Sequence, residues 1–387
     1  MLVYMVFLAA VTLIGIPLCR NKTGKVVYCT IAGIALFVLA AIRKYTGYDY
    51  NLYARVYVDY LSMSVEDIGY DRFEKGIAMP MKLLGDVLYR DYQWNFVIYA
   101  LIFAAALMIL LYKTTDKPYI GVFFFLTLGV YFITFDFMRQ MVASFVIVLG
   151  MRFIKNKQFF RYLIIVLFAS CFHLSALVMI PFYFILRIRL NYIWLGVYTG
   201  IGAFIFIFSW DVIRFLTSFI PKYNTYAKGE IAPETGEMSG SIWSPLFTIL
   251  VGVLFVIAFL FRERLQKKDP FNTILINCMA FTFFFDLLSY KHNIIGRLEL
   301  PFLLMAASVL MPRLVECTAE WFRIKFRGDK KKVTILSAIS LTSLFAVCVG
   351  MYGFMIESDF NGVKRYQTIW DNTPWVNPRE EWEKSQK

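Results

Sequence analysis

The chain has 387 residues, of which 59% are hydrophobic and only 17% are charged. One soluble core could not bury that much apolar surface, so the composition excludes a soluble globular protein and predicts an all-α polytopic membrane protein, a single membrane domain over 1–387. The net charge of +13 could suggest a nucleic-acid partner, but the basic residues are placed as a topology signal, so no nucleic acid is expected.

Ten apolar segments are long enough to cross a membrane, which predicts about ten full transmembrane helices. They lie at 2–19, 26–42, 95–112, 118–135, 138–154, 192–210, 242–261, 270–290, 295–311 and 333–355. The first segment is expected to be retained rather than removed as a signal peptide. Its basic flank, Arg20 to Lys25, follows the apolar run instead of preceding it.

Basic residues gather in short stretches between these segments, and the positive-inside rule assigns such stretches to the cytoplasm. The stretches are 20–25, 113–117, 152–161, 187–189, 262–268 and 313–332. One further apolar tract, 162–186, is interrupted by His173 and Pro181. If it crossed once, every later basic loop would lie outside. It is therefore predicted to be a broken helix hairpin that enters from the cytoplasm, turns near His173 and returns.

The first external region, 43–94, begins with a turn-rich stretch in which Arg43 and Asp49 stand among four tyrosines. One interpretation is an aromatic belt with an arginine that reaches the membrane surface, and the other is one wall of a binding site. Within the same region Ile77–Tyr89 is predicted to form an amphipathic helix at the interface. Two further external segments are predicted, a loop at 211–241 and a polar tail at 356–387.

Charged residues converge on the external side under this topology. They are Arg43, Asp49, Glu74, Asp136, Arg139, Arg297 and Glu299, with His173 pointing toward them from the hairpin. An arginine in lipid is costly, so Arg139 and Arg297 should face a watery cavity or a charged partner. The alternative is a pair of structural ion pairs, Arg139 with Asp136 and Arg297 with Asp286.

Three arginines around an outward cavity favour an anionic ligand, because a guanidinium binds phosphate oxygens bidentately and keeps its charge. A lipid-linked pyrophosphate fits this requirement. His173 would act as a general base or as a hydrogen-bond donor to a leaving phosphate, and the alternative is a packing histidine bonded to a carbonyl. No HExxH, GxSxG, P-loop or paired-cysteine pattern occurs, so neither a metal site nor a cofactor is predicted.

An ordered set of short motifs resembles the EpsG family of Wzy-type polysaccharide polymerases. The motifs are Arg43-xxx-Gly47-x-Asp49-Tyr50-xx-Tyr53, Glu74-x-Gly76, Met138-Arg139-Gln140, Phe172-His173-x-Ser175-Ala176, and Arg297 before an apolar helix. The resemblance implies a bacterial cytoplasmic-membrane enzyme with the architecture of the GT-C glycosyltransferases. Its active site would face the periplasm or the cell exterior, and it would need no metal.

Such enzymes make O-antigen, capsule or exopolysaccharide by moving a growing glycan from undecaprenyl pyrophosphate to an incoming lipid-linked repeat unit. The implied partners are therefore the lipid-linked donor and acceptor, membrane lipid and a chain-length regulator protein. Two other classes stay open. A transporter or flippase of lipid-linked oligosaccharide would also use arginines in a cavity, and an O-antigen ligase or polysaccharide acetyltransferase is another outward-facing transferase.

The expected roles follow from charge and from the resemblance. Arg139 and Arg297 would bind the donor pyrophosphate, with Arg43 assisting them or holding the pyrophosphate of the acceptor. The acceptor hydroxyl would be deprotonated by His173 or by a carboxylate, with Asp49 first and Asp136 or Glu299 as reserves. The sugars would contact a further set of polar and aromatic residues, Tyr48, Tyr50, Tyr53, Glu74 and Gln140.

Overall fold

A computed structural model of the chain describes residues 1–68, 73–87, 91–218, 243–291, 293–327 and 329–371. Nearly all of the described secondary structure is helical, as the composition predicts. Most of the predicted external loop at 211–241 and the end of the predicted tail, 372–387, lie outside the described residues.

The first part of the chain forms nine helices and one short strand. They are α1 (Leu2–Leu18), α2 (Lys22–Ala41), β1 (Arg43–Lys44), α3 (Tyr50–Ser62), α4 (Val65–Ile68), α5 (Lys75–Val87), α6 (Gln93–Thr114), α7 (Pro118–Thr127), α8 (Val130–Asp136) and α9 (Met138–Lys155). The described part of the predicted amphipathic segment, 77–87, lies in α5, which begins two residues earlier and has Pro80 inside it, while residues 88 and 89 lie outside the described residues.

The remainder contains α10 (Phe159–Ser170), a 3-10 turn (Leu174–Val178), α11 (Met179–Ile185), α12 (Tyr192–Ile207), α13 (Ser209–Ser218), α14 (Trp243–Leu260), α15 (Arg262–Lys268), α16 (Phe271–Ser289), α17 (Asn293–Gly296), a 3-10 turn (Arg297–Glu299), α18 (Leu300–Met305), a π turn (Ala306–Leu310), α19 (Met311–Lys325), α20 (Lys330–Glu357), a 3-10 turn (Phe360–Gly362) and β2 (Gln367–Thr368). The continuous stretch Arg297–Lys325 is 83% buried over its apolar window and forms the centre of the fold.

Five of the described helices are long and apolar enough to cross a membrane, and the number rises to seven if each of two bent pairs counts as one span. These are the helices of a multi-pass membrane protein, but the predicted count of ten full crossings is not confirmed. Two predicted segments form helices of 17 and 16 residues, α1 and α12, just below the length of a full span. The segment 118–135 is bent by 59° where Gly129 adopts a left-handed φ of 74°.

The tract 162–186 forms two short helical pieces, Phe159–Ser170 and Leu174–Ile185. The two pieces pack together, and the Tyr162 hydroxyl donates a 3.0 Å hydrogen bond to the Met179 carbonyl. Lys157 before the pair and Arg187 after it line the same pocket. The chain therefore returns to the face it came from, which is the course that the sequence predicts for a broken hairpin.

The predicted cytoplasmic loops meet on one side of the molecule, called here the basic face. Ion pairs join the start of α2, the loop before α7, the end of α9, the end of α15, the loop before α16, and α19. The pairs are Lys25–Asp116, Lys117–Glu316, Lys155–Asp269, Arg313–Asp269 and Lys268–Glu320. Exposed pairs of this kind contribute little stability, at most about 1 kcal/mol each. Their value here is that they place these loops on one face.

The residues that follow α20 return to the stretch after α2. β2 pairs with β1 in antiparallel register, with Thr368 opposite Arg43 and Gln367 opposite Lys44. The Tyr366 hydroxyl donates to the Leu39 carbonyl at 2.7 Å. Backbone hydrogen bonds thereby join the stretch after α2 to the stretch after α20.

Candidate active site

The break between α8 and α9 places the N-terminus of an 18-residue helix at the candidate site. The chain turns at Phe137, whose side chain makes no capping bond, and the first turn of α9 carries no acid. The N-terminus of a helix bears a partial positive charge that favours anions. Arg139 and Gln140 stand in this first turn, so the positive potential of the helix adds to that of the arginine.

Arg139 is held in place by an ion pair and by an aromatic ring. Its Nη1 lies 2.8 Å from Glu74 Oε2, and its guanidinium lies 4.0 Å from the centre of the Phe73 ring. The two charged side chains are 22% and 10% exposed, and Arg139 Nε is buried without a hydrogen-bond partner. Glu74 was predicted to contact sugar, but it is the carboxylate that orients Arg139. The ion pair of Arg139 with Asp136, which was the alternative prediction, is therefore replaced by one with Glu74.

Tyr53 supports the same arginine from α3. Its hydroxyl accepts a 3.4 Å hydrogen bond from the backbone N–H of Arg139, and the ring is only 3% exposed. Burial raises the pKa of Tyr53 to about 12. The hydroxyl therefore stays protonated at neutral pH and keeps its bonds to the start of α9.

The turn of the hairpin packs directly against the Glu74 segment. Gly76 N–H donates a 3.0 Å hydrogen bond to the Cys171 carbonyl, and Glu74 Oε1 accepts from the Leu174 N–H at 3.4 Å. A Cβ at Gly76 would lie 2.5 Å from the Cys171 oxygen, so only glycine permits this approach. The hairpin and the Arg139–Glu74 pair are therefore one packed unit.

His173 caps the 3-10 turn that follows it. Its Nδ1 accepts a 3.2 Å hydrogen bond from the Ser175 N–H. A neutral imidazole whose Nδ1 accepts carries its proton on Nε2. The ring is half-buried, and in this tautomer Nε2 is a hydrogen-bond donor.

Gln140 ties the second predicted arginine to α9. Its Nε2 donates a 2.6 Å hydrogen bond to the Arg297 carbonyl, while the Arg297 guanidinium lies 5.0 Å from the centre of the Phe137 ring. The Arg297 side chain is exposed and Gln140 is buried. The first turn of α9 thus contains Arg139 and, through Gln140, holds the backbone of Arg297 beside it.

Arg43 lies in a different environment and is 3% exposed. Its Nη1 donates to the Thr46 carbonyl at 2.6 Å and its Nη2 to the Phe135 carbonyl at 3.1 Å. The guanidinium also lies 4.3 Å from the centre of the Phe135 ring. Burial lowers its pKa, and the nearby Asp136 carboxylate opposes that shift. Arg43 therefore joins the opening turn to the end of α8.

Asp136 and Asp49 meet at the same turn. The Asp49 N–H donates a 3.2 Å hydrogen bond to Asp136 Oδ1, and Asp136 Oδ2 is buried without a hydrogen-bond partner. Gly47 has a left-handed φ of 106°, and a Cβ there would lie 2.8 Å from Asp136 Oδ1. Asp136 is 3% exposed whereas Asp49 is half-buried, so Asp49 is the more accessible carboxylate.

The three predicted sugar-binding tyrosines differ in exposure. Tyr48 is 68% exposed and its hydroxyl donates to the Asp359 carbonyl at 2.7 Å. Tyr50 is 1% exposed and stacks on Phe96 with ring centres 4.2 Å apart. Tyr53 is also buried, as described above. The structure thus brings Tyr48 to the surface of the opening turn and places the other two in its interior.

Glu299 belongs to a second polar group at the end of α16. Its Oε2 is buried without a hydrogen-bond partner, and its carboxyl interacts electrostatically with that of Asp286. Asp286 in turn accepts a short hydrogen bond from the Thr248 hydroxyl, which lies 3.0 Å from the Tyr290 hydroxyl. Glu299 follows Arg297 by two residues and so joins this group to the start of α9.

Sequence reasoning missed Gln93, Phe73 and Thr46. Gln93 Nε2 donates to the carbonyls of Ala41 and Arg43 at 2.7 and 3.1 Å, and its Oε1 accepts from the Tyr50 hydroxyl at 2.9 Å. The available signal was a polar side chain at the start of an apolar segment, on the side predicted to be external.

Among the described residues, no three His, Cys, Asp or Glu side chains are grouped so as to hold a metal ion.

The model of one protein family, described as the EpsG family, matches residues 26–368, which is nearly the whole chain. The match includes every predicted site residue and both short strands. No curated protein and no solved structure shows a significant match to the chain.

Proposed function

The chain belongs to the EpsG family, whose members are similar to Wzy-type polymerases, and from this premise we propose that it is a membrane glycosyltransferase that polymerises lipid-linked repeat units. The donor would be a glycan on undecaprenyl pyrophosphate and the acceptor a single lipid-linked repeat unit. The acceptor hydroxyl attacks the anomeric carbon of the donor, and the bond from that carbon to the pyrophosphate oxygen breaks. Undecaprenyl pyrophosphate leaves with the bonding electrons.

One observation carries the proposal, namely the pair of arginines at the start of α9. Arg139 is oriented by Glu74 at 2.8 Å, and the backbone of Arg297 is fixed by Gln140 at 2.6 Å. Preoriented guanidinium groups beside a helix N-terminus stabilise the charge that develops on a leaving pyrophosphate. Arg43 is buried at a neighbouring turn and would act by holding that turn rather than by binding phosphate.

His173 would donate a hydrogen bond to the leaving group, and Asp49 would act as the general base. Because Nδ1 of His173 accepts a bond from Ser175, its Nε2–H can donate to a pyrophosphate oxygen, which favours the donor role over that of general base. The acceptor proton would then pass to Asp49, the more accessible carboxylate at the turn. Asp136 would position Asp49 through the bond to its backbone N–H. The exposed Tyr48 would contact sugar.

The orientation of the site follows from charge. The candidate site lies on the side opposite the basic face, and by the positive-inside rule it would face outward from the cytoplasmic membrane. In this arrangement the shorter and bent helices also cross, which gives ten crossings plus the hairpin and an architecture of the GT-C type. The chain would then lengthen O-antigen, capsule or exopolysaccharide outside the cell.

A lateral groove between α2 and α6 is suited to one polyprenyl tail. Its volume is about 700 Å³, and its lining runs from Phe37 and Leu101 near the candidate site to Val26 and Lys113 at the basic face. Apolar side chains form nearly all of the lining, as a hydrocarbon ligand requires. The lipid tail of a pyrophosphate held beside α9 would enter this groove at the end lined by Phe37 and Leu101.

The decisive experiment is a polymerisation assay with purified protein and purified lipid-linked repeat units. A polymerase converts the repeat units into a ladder of longer lipid-linked glycans without any other protein. A ligase needs a second kind of acceptor, and a flippase forms no new bond. Repeat units that remain unchanged with folded protein would refute the proposal.

A further inference from the structure

A second polar pocket opens on the basic face, far from the residues of the candidate active site. Its volume is about 630 Å³. Its walls come from the end of α9, the end of the hairpin and the junction of α15 with α16. None of the residues assigned to the candidate active site lines it.

The charge of the pocket is strongly positive. Lys155, Lys157, Arg187 and Arg189 line it, and none of the described residues in its lining is acidic. Asp269, a carboxylate adjacent in sequence to the lining residue Pro270, already accepts bonds from Lys155, Arg313 and the Phe271 N–H. Three of the four cations therefore lack that carboxylate as a partner, and the pocket attracts an anion.

The pocket is built before any ligand arrives. Asn277 on α16 donates to the carbonyls of Leu186 and Ile188 at 3.1 and 2.8 Å, which fixes the backbone beside Arg187 and Arg189. Gln266 also lines the pocket, and its side-chain Nε2 is buried without a hydrogen-bond partner. A buried donor of this kind costs about 1 to 3 kcal/mol unless an acceptor satisfies it.

The remaining lining is apolar and includes Phe184, Ile188 and Ile274. Cations above an apolar wall at the surface of a membrane domain match a phosphate group joined to acyl chains. We propose that this pocket binds the headgroup of an anionic phospholipid. Arg187 and Arg189 would bind the phosphate oxygens, and Gln266 would donate its amide N–H to the headgroup.

The test is lipid binding by the full-length purified protein, measured by native mass spectrometry during titration with phosphatidylglycerol or with phosphatidylcholine of the same acyl chains. We expect phosphatidylglycerol to bind at least ten times more tightly. Arg187→Gln with Arg189→Gln should reduce that preference about tenfold. The matched control, Arg323→Gln with Lys331→Gln, removes two cations from the same face outside the pocket and should retain it.

Lys157→Asn provides a milder variant if the double variant fails to fold. Lys157 is exposed and has a left-handed φ of 58°, which asparagine adopts readily. It should weaken phosphatidylglycerol binding several-fold. Equal losses in pocket and control variants would overturn the proposal in favour of diffuse surface charge. Displacement of the lipid by millimolar inorganic phosphate would overturn it in favour of a soluble anion.

Discussion

Arg43 and Arg139 show how the surroundings of an arginine decide its function. Arg43 donates hydrogen bonds to the backbone carbonyls of Thr46 and Phe135 and lies against aromatic rings, so it stabilises a turn. Arg139 has one carboxylate partner, remains 22% exposed, and keeps Nε unbonded. Only the second arrangement leaves donors for an incoming anion.

Arg139→Gln should lower the rate of polymer formation by about two to three orders of magnitude, the usual cost of removing one group that stabilises developing charge. The measurement is the ladder assay with purified protein. Arg161→Gln is the control, because Arg161 is exposed on the basic face and bonds to Gln158. Wild-type chain lengths in Arg139→Gln would exclude Arg139 from pyrophosphate binding.

Asp49→Asn should abolish polymer while leaving the thermal denaturation temperature nearly unchanged. The Asp49 N–H donates to Asp136 Oδ1, and the substitution keeps this bond. Asparagine has nearly the same shape as aspartate but cannot act as a general base. Asp86→Asn serves as the control, since Asp86 is exposed in the same external region and pairs with Lys82. Full activity in Asp49→Asn would assign the base to another residue.

The types of these residues were predictable, but their partners were not. The ordered motifs identified Arg139, His173 and Arg297, because charge inside an apolar segment is conspicuous. The pairing of Arg139 with Glu74 rather than with Asp136 depends on how α5 packs against the hairpin. The sequence places Glu74 and Asp136 at similar depth, so the choice of partner for Arg139 depends on that packing.

At the scale of elements, the hairpin and α5 act together. The backbone bond from Gly76 to Cys171 fixes α5 against the hairpin turn, and Glu74 bonds to the residue after His173. Movement of the hairpin would therefore displace both the histidine and the carboxylate that orients Arg139. The positive-inside rule predicted the hairpin from its flanking charges, whereas its contact with α5 has no signature in sequence.

Gly76→Ala should destabilise the protein and slow polymerisation together. The added Cβ would lie 2.5 Å from the Cys171 carbonyl oxygen, and overpacking of this kind costs about 1 to 3 kcal/mol. Thermal denaturation in detergent and the ladder assay measure the two effects. Gly350→Ala is the control, because a Cβ there meets nothing within 4 Å. Identical behaviour of the two variants would contradict the packing argument.

At the scale of the whole molecule, two faces with different chemistry are joined by apolar helices. The basic face contains the ion pairs and the positively charged pocket, and the opposite side contains the arginines at α9. Hydropathy predicted which segments are apolar. It overestimated how many are straight helices of full length, because Gly129 bends one segment and because α1 and α12 have only 17 and 16 residues.

Ala105→Trp should raise the KM for lipid-linked substrate about tenfold, which corresponds to about 1.4 kcal/mol of binding free energy. Ala105 is exposed within the groove between α2 and α6, so a large ring would occupy the space of the tail without disturbing the core. Ile102→Trp places the same ring on the outer surface of α6, outside the groove. An equal KM in both variants would exclude this groove as the lipid path.

The pairing of β1 with β2 has a consequence for biogenesis. Residues 43 and 44 are made early in translation, but their partners at 367 and 368 are made more than three hundred residues later. Contacts of such long range form late, because the intervening chain must be ordered first. The strand pairing beside the turn that carries Asp49 therefore forms only after residue 368 has been made, and a chain that stops before β2 would lack it.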